Sequence, residues 1–283
     1  MIRVFAALAL LVASAAHAQT VDGTLKRILS AQAITIAYRT DALPFSYAGD
    51  GKQPAGYTVE LCKRVVASLE RQLKILALQM KWVPATSQNR LELVSKGQAD
   101  MECGSTTVTL SRMAEVDFSS HVFVDTTGVI ARAAVAAKSF KDLAGKRIAV
   151  IGGTTNQRAI ETALKKSGIT ADVVLVKSRD EAVAALESGS IDAFASDKIL
   201  LLGLGPKMKD PSRYALLPED LSFEPYAIVL PRGDAGFRLA VNRALSEIYR
   251  SDEIVEIFRR AFGAEAEPTP VLILMYGLAA YQD

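Results

Sequence analysis

The sequence has few of the side chains that carry metal and nucleophilic chemistry, with two histidines and two cysteines in 283 residues. His17 falls in the N-terminal leader described below, so His121 is the only histidine left to the rest of the chain. A histidine-based triad, or a zinc cluster of histidine and cysteine, therefore has almost no raw material. We expect no metal and no cofactor.

An excess of one charge is also missing. Lysine and arginine together number 33, aspartate and glutamate number 31, and the formal net charge is +2 at pH 7. Nucleic acids and anionic membrane surfaces are recognised through a basic excess, which this chain does not have. We therefore expect no nucleic-acid partner.

The apolar runs at both ends of the chain are shorter than the roughly twenty residues that span a bilayer. Residues 1–18 combine Arg3, a mostly apolar run over residues 4–13 and a small-x-small end, which is typical of a cleaved signal peptide. A membrane anchor is the alternative, but the run is short and no lipid-accepting cysteine follows it. We expect export to the periplasm. The apolar tail, residues 271–281, is predicted to pack as a C-terminal strap.

The two cysteines, Cys62 and Cys103, form an even pair in a chain predicted to be exported, which makes them candidates for a disulfide. Two buried free thiols are the alternative. Spacing along the sequence does not decide between them.

No internal repeat and no linker rich in Gly, Pro or Ser divides the chain; instead, short predicted helices and strands alternate. Predicted strands cover residues 33–38, 75–83, 99–103, 128–134, 147–151, 173–176, 192–195 and 226–230. Predicted helices cover residues 24–30, 57–73, 89–96, 156–166 and 179–187, with others near Ser111 and up to Phe262. This alternation predicts an α/β fold in which helices cover parallel sheets.

Two segments without clear periodicity, residues 122–128 and 222–226, flank the central α/β block. We interpret them as two hinge crossovers between two lobes, with a ligand cleft between the lobes. The first lobe is predicted to comprise residues 19–122 and 227–283, and the second residues 123–226.

Polar clusters follow the predicted strands at the positions where open α/β sheets bind ligands. They are Tyr38 to Thr40, Thr86 to Arg90, Glu102 to Thr107 with Arg112 beyond it, Gly152 to Thr155, and Ser178 to Glu181. The last has the pattern of a capping box, with Ser178 as the N-cap. The glycine pair of the fourth is not followed by the lysine of a phosphate loop, so a tight turn capped by Thr154 or Thr155 is the plainer interpretation.

Three arginines, Arg90, Arg112 and Arg179, are predicted in first helical turns, where a basic side chain opposes the helix dipole. One arginine in such a place is typical of a solvated surface. Three of them, each near Ser or Thr, indicate an anionic ligand drawn to the same helix N-termini. Asp197, after a predicted strand, is either another cap or the counter-charge of a ligand ammonium.

These clusters resemble the family 3 solute-binding proteins of ABC importers, and most closely their glutamate/aspartate-binding branch. The matching stretches are Leu43 to Tyr47, Thr86 to Arg90, Glu102 to Thr107, Asp117 to Ser119, Gly153 to Thr155 and Leu186 to Gly189. They run in order along most of the chain. The resemblance implies a two-lobed type II periplasmic binding protein, a monomer that delivers glutamate or aspartate to a membrane permease.

The resemblance also implies a role for each polar residue. Arg112, helped by Thr154 or Thr155, would hold the ligand α-carboxylate, and Ser105, Thr107 and Asp197 would receive the α-ammonium. The side-chain carboxylate would fall to Arg39, Ser87 and Arg90.

Two positions depart from the family pattern. Arg179 stands where relatives tend to have histidine, so its role in the side-chain pocket is open, and Lys198 stands where relatives are often acidic and is expected to face solvent. The four arginines against Asp197 supply the donor excess that a dicarboxylate with one ammonium needs.

Two other functions use the same fold. A periplasmic dehydratase of prephenate-like acids would need an acid or base in the cleft, for which Asp197 and Glu102 are the candidates. A sensory module that reports amino acids to a membrane receptor is the second. Donor-rich clusters favour binding without chemistry.

Overall fold

Two parallel sheets, joined by a pair of long antiparallel strands, are the framework of the computed structural model, which describes residues 21–282. The predicted signal peptide lies outside the described residues. The helices are α1 (Gly23–Ala31), α2 (Tyr57–Leu73), α3 (Arg90–Ser95), α4 (Leu110–Met113), α5 (Thr155–Ser167), α6 (Arg179–Ser188), α7 (Lys198–Leu202), α8 (Ala235–Tyr249), α9 (Glu253–Phe262) and α10 (Pro270–Ala279). The strands are β1 (Ala33–Arg39), β2 (Asp41–Ala42), β3 (Ser46–Ala48), β4 (Pro54–Ala55), β5 (Gln79–Ala85), β6 (Met101–Cys103), β7 (Asp117–Arg132), β8 (Arg147–Ile151), β9 (Asp172–Val176), β10 (Ala193–Asp197), β11 (Tyr214–Leu216) and β12 (Phe223–Leu230).

Each sheet has a central strand with a parallel neighbour on either side. In the first sheet β1 lies between β5 and β6, and in the second β8 lies between β9 and β10. Parallel neighbours need long connections, and helices α2, α3, α5 and α6 lie within them. The predicted α/β class and the two-lobed architecture are thus confirmed. We call the lobe around β1 the first lobe and the lobe around β8 the second lobe.

The two segments predicted to be irregular are extended strands in the structure. Residues 122–128 belong to the sixteen-residue strand β7, and residues 223–226 begin β12, which pairs antiparallel with β7. Asp125 lies opposite Glu224 in this pair, and Pro225 follows. These residues interrupt the apolar alternation of a strand, so the sequence pattern looks irregular where the backbone is extended and paired.

The first lobe has its own apolar core, in which helix α2 packs the predicted face. Leu61, Val65 and Leu69 are fully buried there. Next to them, Phe45 makes edge-on contacts with Tyr226 and other rings. The centroids of the Phe45 and Tyr226 rings are 5.2 Å apart. Burying one such large apolar side chain stabilises the fold by about 1.5–3 kcal/mol. The second lobe buries separate clusters on the two faces of β8 and β10.

The predicted C-terminal strap is helix α10, which packs against the first lobe through Leu272, Tyr276 and Ala279. The hydroxyl groups of Tyr276 and Tyr57 are 2.7 Å apart and hydrogen-bonded. Among residues 21–282, helices of the length and apolarity needed to cross a bilayer are not found.

A disulfide between Cys62 and Cys103 is confirmed, with the two Cα atoms 6.4 Å apart. It ties the second turn of α2 to the last residue of β6. The polar cluster that begins at Glu102 therefore starts from a covalently fixed strand end.

Replacing both cysteines, Cys62→Ala with Cys103→Ala, should lower the free energy of unfolding by about 2–4 kcal/mol. The bond closes a loop of 41 residues, and its loss returns that closure entropy to the unfolded chain. Urea unfolding of the oxidised protein and of the variant measures the difference. Equal midpoints and equal slopes would contradict it.

Candidate functional site

The carboxyl ends of the two parallel sheets face each other across a closed cleft. Arg179 of the second lobe reaches Asp41 of the first, and the hydroxyls of Thr107 and Thr155 are 3.5 Å apart. The lobes also touch at Gly203, where a Cβ atom would come within 2.3 Å of the Leu43 carbonyl oxygen. The residues that follow the strands are therefore brought together, as ligand sites of open α/β sheets require.

Helix caps fix the loops that carry these residues. Ser178 caps α6 by accepting a hydrogen bond from the Glu181 amide at 3.2 Å, and Glu181 accepts from the Lys177 amide at 2.7 Å. Thr154 caps α5 by accepting from the amide of Gln157. The predicted Ser178 cap and the predicted threonine cap are thus present, but the capping box is not closed, because Glu181 accepts from the backbone amide of Lys177 and not from that of Ser178.

Arg90 and Arg179 are the first residues of α3 and α6, as predicted. Arg112 is different, because α4 has a single turn of four residues and Arg112 is the third of them. The helix-dipole argument therefore applies to two of the three arginines.

One end of the cleft is built around Arg39 and Arg179, which approach from opposite lobes. Both are almost completely buried, and both donate to Asp41, Arg39 at 2.6 Å and Arg179 at 3.2 Å. Burial opposes ionisation of Asp41, but the two guanidinium groups outweigh it and hold the pKa of this carboxyl below its usual range. Asp41 is therefore a fixed negative charge between two fixed positive charges.

Arg90 and Glu102 lie beside this group. Arg90 is buried and donates to the Ser87 carbonyl at 2.6 Å, and Glu102, which is fully buried, accepts from the Thr106 hydroxyl at 2.8 Å. Burial lowers the pKa of Arg90 and of Arg39 to about 10, so both stay protonated at neutral pH. Burial also disfavours the charged form of Glu102 and raises its pKa, although the positive charge of Arg90 acts in the opposite direction.

Several polar atoms at this end of the cleft are buried without a partner. Within the described part of the chain, no hydrogen bond satisfies the Nε atoms of Arg39, Arg90 and Arg179 or Oε1 of Glu102. Leaving a buried donor unpaired costs about 1–3 kcal/mol, more when it is charged. Three unpaired guanidinium nitrogens in one cleft indicate a place for an anion.

The other end of the cleft centres on Arg112 and Glu224. Arg112 donates to the Thr107 carbonyl at 2.6 Å. Glu224, on the crossing strand β12, accepts at 2.7 Å from the hydroxyls of Thr107 and Thr155, one from each lobe. A single buried carboxylate thus joins both lobes to the crossover.

Asp197 and Asp125 form a second acidic group at this end. Asp197 accepts a hydrogen bond from the side-chain amide of Asn156 at 2.9 Å, and Asp125 accepts one from the backbone amide of Ile199 at 3.2 Å. Burial, followed by the charge of Asp197, raises the pKa of Asp125 to about 8. Burial and the charge of Glu224 also raise the pKa of Asp197.

The ten predicted site residues lie at strand ends, in the segments that follow them, or in the helices that come next: Arg39 and Asp197 end β1 and β10, Ser87, Ser105, Thr107 and Thr154 lie between a strand and a helix, and Arg90, Arg112, Thr155 and Arg179 lie in α3, α4, α5 and α6. Ser105 is buried in the loop after β6, whereas Ser87 is half-buried and contributes its carbonyl to Arg90. The Thr154 hydroxyl donates to the Ile151 carbonyl. The Lys198 side chain is 20% exposed, and its ammonium donates to the Pro218 carbonyl and pairs with Asp220, which is itself exposed.

Four of the side chains that shape the cleft were not predicted from the sequence: Asp41, Asp125, Asn156 and Glu224. The predicted charge inventory of four arginines against Asp197 is therefore wrong, because Asp41, Glu102, Asp125 and Glu224 share their surroundings. One of the four could have been recognised in the sequence, because Glu224 is a charged residue next to the apolar run that forms β12. Within the described residues, His, Cys, Asp and Glu side chains form no cluster of three or more that could hold a metal ion.

The raised pKa of Asp125 predicts a pH-dependent stability. Between the unfolded pKa of about 4 and the folded pKa of about 8, the folded state holds a proton that the unfolded state releases, so this group destabilises the fold as pH rises. Relative to the original chain, Asp125→Asn should gain about 1 kcal/mol of unfolding free energy per pH unit between pH 5 and pH 8.

Urea unfolding at several pH values measures this gain. Asp192→Asn is the control, because the hydrogen bond from Arg147 lowers the pKa of Asp192 and its loss should cost the same at pH 5 and pH 8. A gain for Asp125→Asn that does not change with pH would contradict the assignment.

Known proteins resemble this chain in sequence and in fold. The family model of the bacterial extracellular solute-binding proteins, family 3, matches residues 34–264. The L-glutamate/L-aspartate-binding protein of Pseudomonas aeruginosa is 34% identical over 268 residues, 94% of this chain and 87% of that protein. A glutamate/aspartate import solute-binding protein of Salmonella typhimurium is 30% identical over 254 residues, 88% of this chain and 84% of that protein.

Among solved structures, an ancestral amino acid-binding protein, described as a precursor of cyclohexadienyl dehydratase, superposes with a TM-score of 0.73 at 22% identity. The match covers 85% of this chain and 100% of that one. It shows a shared fold. The chain belongs to the bacterial extracellular solute-binding proteins of family 3.

Proposed function

We propose that the chain is the extracytoplasmic solute-binding subunit of an amino-acid ABC importer and binds an acidic amino acid, glutamate or aspartate. The observation that carries the proposal is the set of three buried, unpartnered guanidinium nitrogens on Arg39, Arg90 and Arg179. A carboxylate placed among them would satisfy charged donors that the chain leaves open. The relatives named for glutamate and aspartate binding support the same ligand class.

At the end of the cleft around Arg112, the proposed occupant is the amino-acid backbone of the ligand. Arg112 would take the α-carboxylate together with amides at the start of α5, where Thr155 is the first helical residue. Asp197, with Ser105 and Thr107, would receive the α-ammonium. The Thr154 hydroxyl caps α5 and binds the Ile151 carbonyl, so Thr155 is the better of the two threonines for contact with ligand.

At the other end, the proposed occupant is the ligand side-chain carboxylate. Arg39 and Arg90 offer their unpaired Nε atoms to it from the first lobe, and the Ser87 carbonyl holds the Arg90 guanidinium in place. Arg179 offers a third unpaired Nε atom from the second lobe. Ligand binding would thus join the lobes.

Closure of the lobes on ligand would bend the strands β7 and β12 where they cross. We keep residues 19–122 with 227–283 and residues 123–226 as the proposed bounds of the lobes, since the crossing pairs Phe123 with Tyr226. Hinge residues at such crossings absorb the motion. Delivery to a membrane permease by a monomer in the periplasm completes the proposal.

A dehydratase on the same fold is the second candidate, favoured by one observation. Glu102 is fully buried, and burial raises its pKa, as expected of a general acid. Its carboxyl group, however, faces Arg90, Arg39 and Thr106. We propose that the chain is not an enzyme, and turnover of prephenate-like acids by the purified protein would overturn that. A sensory role would use the same ligand site, and genes for a permease and an ATPase beside its own would favour transport.

Replacing single arginines tests the two ends of the cleft separately. Arg112→Ala should weaken glutamate, aspartate and glutamine together, because all three carry the α-carboxylate. Arg90→Ala should weaken glutamate and aspartate roughly ten- to a hundredfold, as expected for loss of a charged hydrogen bond, and glutamine much less. Isothermal titration measures the affinities.

Arg71→Ala is the matched control, because Arg71 is an exposed arginine of α2 that pairs with Glu247 at 2.8 Å. It should leave all three affinities unchanged. If Arg90→Ala weakens glutamate and glutamine equally, the side-chain carboxylate does not lie where we propose.

A further inference from the structure

Asp41 occupies a position that neither the sequence pattern nor the family resemblance indicated. It begins the short strand β2, two residues after Arg39, and its side chain is only 15% exposed. One carboxylate oxygen accepts from Arg39 at 2.6 Å and the other accepts from Arg179 at 3.2 Å. The chain thus places a carboxylate of its own on two of the three arginines that the proposed function assigns to the ligand side chain.

A carboxylate in this place changes what the end of the cleft prefers. Arg39 uses one terminal nitrogen for Asp41 while its Nε is unpaired and buried. A ligand carboxylate bound to that same guanidinium would lie within the ~4–6 Å over which like charges disfavour each other. Asp41 is ionised and both of its oxygens are held, so it cannot simply turn away.

A carboxamide meets the same surroundings differently. Its oxygen accepts from a guanidinium as a carboxylate oxygen does, and its NH2 group donates to a carboxylate. Beside Asp41 and the arginines, such a group finds partners for both halves and brings no negative charge against Asp41.

We propose that Asp41 is a specificity-determining residue that makes the cleft accept ligands ending in a carboxamide, glutamine or asparagine, alongside the acidic amino acids. The inference rests on the proposed function, since it concerns the same ligand site. Arg90, the third arginine, donates its hydrogen bond to the Ser87 carbonyl and not to Asp41. It therefore keeps the preference for a carboxylate, and Asp41 reduces it.

Removing the charge of Asp41 tests this directly. Asp41→Asn keeps the shape and should raise the ratio of the glutamine dissociation constant to the glutamate dissociation constant by at least about tenfold. The original chain should bind both ligands. Isothermal titration of each protein with glutamate, aspartate and glutamine gives the ratio. A ratio is used because a merely structural loss would weaken all ligands together.

Two further variants complete the experiment. Asp41→Ser should shift the ratio in the same direction and serves if the asparagine variant does not fold. Asp180→Asn is the control, because Asp180 follows Arg179 on α6 but is exposed and pairs with Lys207. It should leave the ratio unchanged.

An unchanged or lowered ratio in the Asp41 variants, with glutamate still bound by the original chain, would overturn the role of Asp41 and leave the proposed function standing. Failure of the original chain to bind any of the three ligands would instead overturn the proposed function, and the role of Asp41 with it.

Discussion

Four buried guanidinium groups in one cleft impose the constraint on which the rest of the site depends. Removing one such ion from water costs several kcal/mol unless carboxylates and hydrogen bonds compensate. Arg39, Arg90, Arg112 and Arg179 are all at most 7% exposed. The chain compensates in part, through Asp41, Glu102 and Glu224, and leaves three nitrogens unpaired. A bound anion can accept the hydrogen bonds that these three nitrogens offer.

The fold places these charges by two simple devices. Parallel strands end at the same edge of a sheet, so the loops after β1, β5 and β6 converge in one lobe and those after β8, β9 and β10 in the other. The crossing strands β7 and β12 then contribute Asp125 and Glu224. These two residues lie where the lobes are joined, so in the proposed function the charge of the ligand and the movement of the lobes would act on the same side chains.

Much of this arrangement follows from the sequence. Alternating periodicity predicted the α/β class, gave strand Arg147–Ile151 with its observed bounds, and placed Arg90 and Arg179 at helix starts. The polar clusters after the predicted strands lie at the edges of the sheets that face the cleft, because the ends of buried strands can be recognised from apolar runs in the sequence. Whether Cys62 and Cys103 are bonded could not be decided from the sequence, because it depends on the distance between them in the fold.

The rest could not be predicted because it depends on contacts between distant segments. Asp41 meets Arg179 across 138 positions of sequence, and nothing local marks that pair. The crossing strands were hidden because Asp125, Glu224 and Pro225 break their apolar pattern. The charge balance of the cleft was misjudged for the same reason, since the missing carboxyl groups come mainly from these segments and from β2.

The proposed function divides the buried arginines between the two carboxylates of an acidic amino acid. A crystal structure of the protein with glutamate bound tests it most directly. We predict the α-carboxylate on Arg112 and the side-chain carboxylate among Nε of Arg39, Arg90 and Arg179. A glutamate bound in the opposite orientation, or one whose side-chain carboxylate contacts none of these three arginines, would contradict the account.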